Sequence, residues 1–299
     1  MTGLDPRLNA FRPDLADLAL NGRVEAERFV EGKARRVAAP QAALRRAPSS
    51  DAHLQTEALR GESVRVFETN AEGWCWVQLT EDRYVGWMRR DALAEPGSEP
   101  THRVSALRAF VFPKPDIKAP PLAALPFGAR VTMVGEAEDK NARYALIAPE
   151  GAIVIQHLLP LASVEADFTT IAEHFLGTPY LWGGRTGLGI DCSGLVQIAL
   201  GACGISAPRD SDMQEHGVGA PLLLAGGFPP LKRGDLVFWP GHVGIMRDDV
   251  TLLHANSHHM AVASEPFEAA ATRFRQRGLE ITSVRRVLGP IVLADYEAR

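Results

Sequence analysis

Short stretches in which apolar and polar residues alternate fill the first half of the chain, and they constrain its fold most. Three of them come early, at residues 63–67, 74–79 and 84–88, and turn-forming residues separate them. Alternation with a period of two is typical of β-strands that bury one face. The first segment therefore predicts a small antiparallel barrel.

A second segment repeats this plan. Its strand-like stretches lie at residues 108–112, 129–134, 144–147 and 152–154. In each segment a glycine comes just before a matching strand, Gly61 in the first and Gly128 in the second. We therefore expect a tandem repeat of one small β-domain.

The last part of the chain has a different character. Helix-like stretches at residues 171–176 and 193–202 come before strand-like ones at 235–239, 242–246 and 250–253. This order predicts an α+β domain whose helices come first. The predicted architecture is α+β, with an N-terminal arm, helical or extended, at residues 1–35, barrels at 36–97 and 98–163, and the α+β domain at 164–299.

Composition and charge exclude several classes of protein. A chain of 299 residues with 46% hydrophobic and 23% charged residues can bury several cores, and a net charge of −4 predicts no nucleic-acid partner. Charged residues interrupt the apolar stretch at the start, and no later stretch reaches the roughly 20 apolar residues that cross a bilayer. We expect a soluble, cytoplasmic protein without a membrane partner. Three cysteines in no disulfide pattern agree with a reducing compartment.

Cys192 is the candidate nucleophile. It lies where a glycine-rich loop becomes a helix, so that unpaired N–H groups and the helix dipole would favour its thiolate and stabilise an oxyanion. We expect Cys192 to react with alkylating agents near neutral pH, whereas Cys75 and Cys203 react slowly. The alternative for a single such residue is a buried structural cysteine.

Two histidines could supply the base. His242 is the first residue of a predicted strand, and His254 lies on the next strand. If the hairpin turns at residues 247–249, the numbers of facing residues sum to 496, and the two histidines face each other. His242 would take the thiol proton and His254 would orient it. His258 follows His254 at a helical spacing, but that stretch is not helical, so we predict neither a metal nor another cofactor.

A combination of motifs resembles the NlpC family of bacterial cell-wall cysteine peptidases. The matching residues are 179–184 (PYLWGG), 191–194 (DCSG), 209–211 (RDS) with Gln214, 234–238 (GDLVF) and 241–245 (GHVGI). The resemblance covers about residues 164–285 and implies a papain-like fold with the triad Cys192, His242 and His254. The two preceding β-domains resemble the bacterial SH3-like modules that some members carry.

The resemblance also implies a substrate. Similar two-module members recycle murein peptides and cleave the bond between γ-D-glutamate and a diamino acid in L-Ala-γ-D-Glu-diaminopimelate peptides. In those relatives the first module closes one end of the cleft, so a free N-terminal L-alanine is required. The substrate-binding residues implied here are Asp191, Ser193, Ser211, Tyr180, Tyr84 and Glu57.

Two alternatives remain open on sequence grounds. The chain could be a non-catalytic module that binds murein peptides, or it could transfer the acyl group to an amine instead of to water. The diamino acid, the length of the stem peptide, the oligomeric state, and the roles of the second module and of residues 219–227 are also left open.

Overall fold

The computed structural model describes residues 3–222 and 230–287. The chain divides into two compact units, Met1–Ser163 and Val164–Arg299. Among the described residues, the first unit consists of strands and single-turn helices, and the second combines sheets with α-helices. This is the predicted α+β class. None of the helices within these described ranges is long and apolar enough to span a bilayer.

The segment before the first barrel folds onto itself. It contains the short parallel strands β1 (Ala16–Asp17) and β2 (Phe29–Val30) and one 3₁₀ turn (Leu18–Leu20). Ala16 and Leu20 are buried in a small apolar cluster of this segment. The carboxylate of Asp17 pairs with Arg65 at 2.6 Å. The expected arm is therefore a folded segment that an ion pair attaches to the first barrel.

One seven-stranded antiparallel sheet forms the first barrel, in the order β5-β4-β8-β7-β6-β3-β9. Its strands are β3 (Lys33–Val37), β4 (Gln41–Arg45), β5 (Leu54–Leu59), β6 (Ser63–Thr69), β7 (Trp74–Leu79), β8 (Val85–Arg89) and β9 (Leu93–Ala94). The predicted alternation buries Val64, Val77 and Met88 in one core. Strand β3 begins at Lys33, before the boundary that the sequence suggested at residue 36.

The second barrel repeats the strand plan of the first. Its strands are β10 (His102–Val104), β11 (Arg108–Val111), β12 (Ala123–Pro126), β13 (Arg130–Glu138), β14 (Arg143–Ala148), β15 (Ala152–Val154) and β16 (Leu158–Pro160). Strand β10 pairs with β13 and β16, as β3 pairs with β6 and β9. Gly61 and Gly128 have φ angles of +83° and +84°, which explains glycine at both equivalent turns.

A six-stranded antiparallel sheet organises the second unit, in the order β19-β24-β20-β21-β22-β23. The elements are α1 (Phe168–Glu173), β17 (Arg185–Thr186), β18 (Gly189–Ile190), α2 (Cys192–Ala202), α3 (Ser211–Gly217), β19 (Ala220–Leu222), β20 (Asp235–Trp239), β21 (His242–Met246), β22 (Thr251–Asn256), β23 (Ala261–Pro266), α4 (Phe267–Arg275) and β24 (Ser283–Arg286). Helix α2 is buried along nearly its whole length and packs on β21 and β22.

The expectation that all helices come before the strands is wrong in one respect. Helix α4 follows β23 and covers the sheet, where Phe267 and Ala270 join the core around Trp239. Phe267, Ala270, Ala271 and Phe274 lie at the i, i+3, i+4, i+7 spacing of an amphipathic helix, so the sequence carried a signal for α4 that the prediction did not use. Of the segment 219–227, residues 223–227 lie outside the described residues.

Candidate active site

Cys192 is the first residue of α2, and Asp191 caps the helix. One oxygen of the Asp191 carboxylate accepts the N–H of Gly194 at 2.7 Å, and the other accepts the N–H of Gly183 at 2.7 Å. At Gly194 an added Cβ would lie 2.4 Å from the carbonyl oxygen of Gly184. The glycine-rich loop can therefore pack against the start of the helix only because these positions carry no side chain.

A buried ion pair fixes this turn. Arg209 is 1% exposed and donates to both carboxylate oxygens of Asp191, at 2.9 and 2.7 Å. It also donates to the hydroxyl of Ser193 at 2.9 Å, and Gln214 donates to the carbonyl of Ser193 at 2.9 Å. Such bidentate pairing satisfies the Asp191 charge inside the protein. The structure thus gives Asp191 and Ser193 a scaffolding role, and their role toward a substrate amine stays a prediction.

The sulfur of Cys192 is poorly hydrated. Burial raises the pKa of Cys192 to about 12, and the Asp191 charge adds to the effect, whereas backbone N–H groups of Val243 and Ser193 act in the opposite direction. The expected lowering of this pKa by the helix start is therefore wrong for the free enzyme, because desolvation outweighs the nearby N–H dipoles. Cys192 rests as a thiol and needs a base.

That base lies on the neighbouring strand. The N–H of Val243 reaches the Cys192 sulfur, which brings the start of β21 beside α2. Nε2 of His242 lies 2.8 Å from Nδ1 of His254, and both rings are buried. Trp239 and Phe274 pack against the His242 ring, at centroid distances of 5.8 and 5.0 Å. The two histidines that the sequence singled out therefore form one buried pair.

The predicted pairing of the hairpin is wrong by two residues. Ile245 pairs with Leu253, so facing numbers sum to 498, and by extension Asn256 rather than His254 lies opposite His242. In the turn, the Asp248 side chain accepts the N–H groups of Val250 and Thr251, and the Thr251 carbonyl accepts the N–H of Arg247, so the chain reverses at residues 248–250 instead of 247–249. The imidazoles still share a face, because a change of two preserves the side of the sheet, and they meet diagonally.

The relay continues to two residues that the sequence analysis missed. Nε2 of His254 lies 2.8 Å from Oε1 of Glu265 on β23, and Arg273 on α4 binds both oxygens of Glu265 at 2.9 and 2.5 Å. Despite the cost of burial, these partners lower the pKa of Glu265 to about 2. The signal was available in principle, since extending the strand pairing by one more hairpin places residue 265 on the face of His254.

The ionised carboxylate fixes both tautomers. Burial lowers the pKa of His242 well below its usual value and lowers that of His254 too, so both rings are neutral. Glu265 can only accept, so Nε2 of His254 carries its proton and Nδ1 accepts from His242. His242 then carries its proton on Nε2, and its Nδ1 is the nitrogen left to accept a proton from a thiol.

A cleft of about 220 Å³ opens beside His242. Tyr180, Trp182 and Arg277 line it together with His242. Burial raises the pKa of Tyr180, and the proximity of Cys192 and Asp191 adds to the effect. The hydroxyl therefore stays protonated and can donate a hydrogen bond next to the nucleophile.

The remaining predicted site residues lie elsewhere. Ser211 is the first residue of α3 and is half-buried. In the first unit, Tyr84 lies in the core of the first barrel, and Glu57 accepts from the side chain of Gln41 at 2.9 Å. Their roles in binding stay predictions. His258 is exposed, and within residues 3–222 and 230–287 no three His, Cys, Asp or Glu side chains are grouped as a metal site requires.

Comparisons with known proteins agree with this geometry. A family model described as the NlpC/P60 family matches residues 177–277, and one described as the bacterial dipeptidyl-peptidase Sh3 domain matches residues 44–93. Dipeptidyl-peptidase 6 of Lysinibacillus sphaericus is 27% identical over 228 residues, which cover 70% of this chain and 82% of that protein. The γ-D-glutamyl-L-lysine dipeptidyl-peptidase of Bacillus subtilis (strain 168) is 28% identical over 69% of this chain and 73% of its own length.

A solved structure shows the same fold. The NlpC/P60 family protein from Bacillus cereus ATCC 10987 superposes with a TM-score of 0.69 at 22% identity, and the match covers 86% of this chain and all of that one. The chain therefore contains a bacterial SH3 domain followed by a domain of the NlpC/P60 family, and it is a hydrolase of the cysteine-peptidase kind.

Proposed function

We propose that this enzyme cleaves the bond between γ-D-glutamate and a diamino acid in peptides released from peptidoglycan. The observation that carries the proposal is the buried relay from His242 through His254 to Glu265, next to a cysteine at a helix start. Two relatives named for dipeptidyl-peptidase activity, one of them on γ-D-glutamyl-L-lysine, support the substrate class.

In the first half of the reaction, Nδ1 of His242 takes the proton of Cys192 as the sulfur attacks the γ-carbonyl carbon. N–H groups at the start of α2, together with the Tyr180 hydroxyl, stabilise the oxyanion. His242 then gives the proton to the leaving amine, the C–N bond breaks, and a thioester to Cys192 remains.

In the second half, water replaces the diamino acid. Nδ1 of His242 removes a proton from the water as its oxygen attacks the thioester, and the thiol leaves with that proton restored. While His242 is protonated, the neutral His254 accepts from its Nε2 and the Glu265 charge stabilises the cation. Glu265 is therefore a positioning residue that acts on His242 through His254.

Peptide cleavage by the purified full chain tests the proposal. The wild type and a Cys192→Ala variant are incubated with L-Ala-γ-D-Glu-diaminopimelate, and products are followed by mass spectrometry. Release of L-Ala-γ-D-Glu by the wild type alone is the expected result, and no cleavage by the wild type would refute it. An added amine acceptor distinguishes hydrolysis from acyl transfer.

The requirement for a free N-terminal L-alanine is part of the proposal, as are the binding roles of Tyr84 and Glu57. The N-acetylated peptide should resist cleavage, and equal rates on both peptides would contradict this requirement. Tyr84→Phe should raise KM for the free peptide with little change in kcat. An unchanged KM would exclude the Tyr84 hydroxyl from binding.

We further propose that the reaction recycles wall peptides in the cytoplasm. In the described part of the chain, the cysteines at 75, 192 and 203 form no disulfide, which agrees with a reducing compartment. Cell fractionation, together with the accumulation of uncleaved peptides in cells lacking the enzyme, tests this proposal. Recovery of the enzyme outside the cytoplasmic fraction would contradict it.

A further inference from the structure

The cleft beside His242 contains an arginine that pairs with no carboxylate among the described residues. Arg273 and Arg277 both line this cleft, but Arg273 is bound to Glu265 through both carboxylate oxygens. Arg277 lies just after α4 and is exposed, and within the described ranges it makes no salt bridge. Its charge is therefore available to a ligand in the cleft.

The chemistry of the reaction indicates which part of the substrate enters this cleft. The acyl carbon must lie over the Cys192 sulfur, whereas the leaving nitrogen must lie near His242, because His242 protonates it. His242 lines the cleft of about 220 Å³. The residue released with the amine is therefore the one that extends toward Arg277.

The charge of the cleft selects among leaving residues. No aspartate or glutamate is among its described lining residues, so Arg277 adds positive potential that no neighbouring carboxylate in the lining cancels. A side chain that ends in an ammonium group alone is repelled there, and a carboxylate is attracted. A planar guanidinium can also bind a carboxylate through two parallel hydrogen bonds.

We propose that Arg277 forms a subsite for a carboxylate of the leaving diamino acid, a proposal that rests on the proposed function. Two carboxylates have the right chemistry. One is the side-chain carboxylate that diaminopimelate has and lysine lacks, and the other is the α-carboxylate of a leaving residue at the end of its peptide. Arg277 is thus a specificity-determining residue in either case.

Four peptides distinguish the two sources. They are L-Ala-γ-D-Glu-diaminopimelate, L-Ala-γ-D-Glu-lysine, and the same two peptides with the α-carboxylate amidated. We would measure kcat/KM for the wild type, for Arg277→Gln, and for Arg275→Gln as a matched control. Arg275 is the last residue of α4, two positions before Arg277; it pairs with Glu280 and does not line the cleft.

A partly exposed arginine–carboxylate contact is worth about 1 kcal/mol, so we expect preferences of roughly fivefold. If the side-chain carboxylate binds, the wild type prefers diaminopimelate about fivefold with or without amidation. If the α-carboxylate binds, amidation lowers kcat/KM about fivefold for both peptides. Arg277→Gln should abolish whichever preference exists, and Arg275→Gln should keep it.

Salt gives an independent readout that a structural role of Arg277 would not move. The preference should shrink as ionic strength rises from about 0.05 to 0.5 M, since screening weakens exposed charge pairs. A preference that Arg277→Gln leaves intact, or the absence of any preference in the wild type, would overturn the subsite while the peptidase proposal stands. A wild type that cleaves none of the four peptides would overturn both.

Discussion

Removal of the negative charge of Glu265, which the two histidines separate from the nucleophile, should slow the enzyme strongly. In Glu265→Gln the side chain keeps its size but loses the charge that faces the histidine pair through His254. With two hydrogen bonds of 2.8 Å and one imidazole between them, Glu265 and His242 are separated by roughly 8 Å. At an effective dielectric constant of about 20, unit charges at that distance attract by about 2 kcal/mol. The protonated His242 of the transition state loses this stabilisation, so kcat should fall about 30-fold.

The pH dependence makes this reasoning specific. Arg273 lowers the pKa of His242 and Glu265 raises it. Removal of the carboxylate charge in Glu265→Gln should therefore move the acid limb of the kcat profile to lower pH. Arg273→Gln removes the opposing cation and should move the same limb to higher pH.

Stopped assays of kcat from pH 4 to 9 on the wild type and both variants provide the test, and Arg275→Gln serves as the control for loss of a nearby arginine. Shifts of the acid limb in opposite directions are expected. Shifts in the same direction, or a kcat for Glu265→Gln within threefold of the wild type, would refute an electrostatic role and leave Glu265 as a packing residue.

Three further predictions concern the nucleophile and its support. Because burial raises the pKa of Cys192 to about 12, its labelling by iodoacetamide should be slow at pH 7 and accelerate steadily toward pH 9. Peptide mapping measures this rate, and a rate independent of pH would mean that the resting sulfur is a thiolate. Because burial lowers the pKa of His242, the acid limb of wild-type kcat should have its midpoint below pH 6.5, and a midpoint above that value would contradict a neutral resting base. Arg209→Met leaves the buried Asp191 charge without its cation, so urea unfolding should show a loss of about 3–5 kcal/mol in the free energy of unfolding. Asp191→Asn should partly restore it in the double variant, and a loss below about 1 kcal/mol would count against this prediction.

The sequence predicted the elements around the site because their patterns are strong. Strands β7, β20 and β21 begin and end where expected, since continuous or alternating apolar residues lie between clear turns. Helix α2 begins at Cys192, one residue before the predicted start at residue 193, because Asp191 caps a helix that begins there. Local chemistry was sufficient for these elements.

Contacts between distant residues could not be predicted in the same way. The pairing of β21 with β22 depended on how Asp248 folds the turn, which residue types alone did not decide. The lowered pKa expected at Cys192 neglected burial, which depends on the packing of α2 against the sheet. Glu265 escaped notice because its strand, Ala261–Pro266, consists mostly of small and polar residues and ends at a proline, so it shows little alternation.

The relay from His242 to Glu265 crosses three consecutive strands, and this has a consequence for how the enzyme is assembled. His254 follows His242 by 12 residues and Glu265 follows His254 by 11, so two short hairpins bring the three together. Short loops close at low entropic cost. Cys192 is farther from these strands in the sequence, and it lies on a helix that must dock on the sheet. A folding intermediate with the β21–β23 meander formed and α2 undocked would hold an ordered histidine pair but have no nucleophile beside it. Such a chain could not cleave peptides before its hydrophobic core had closed.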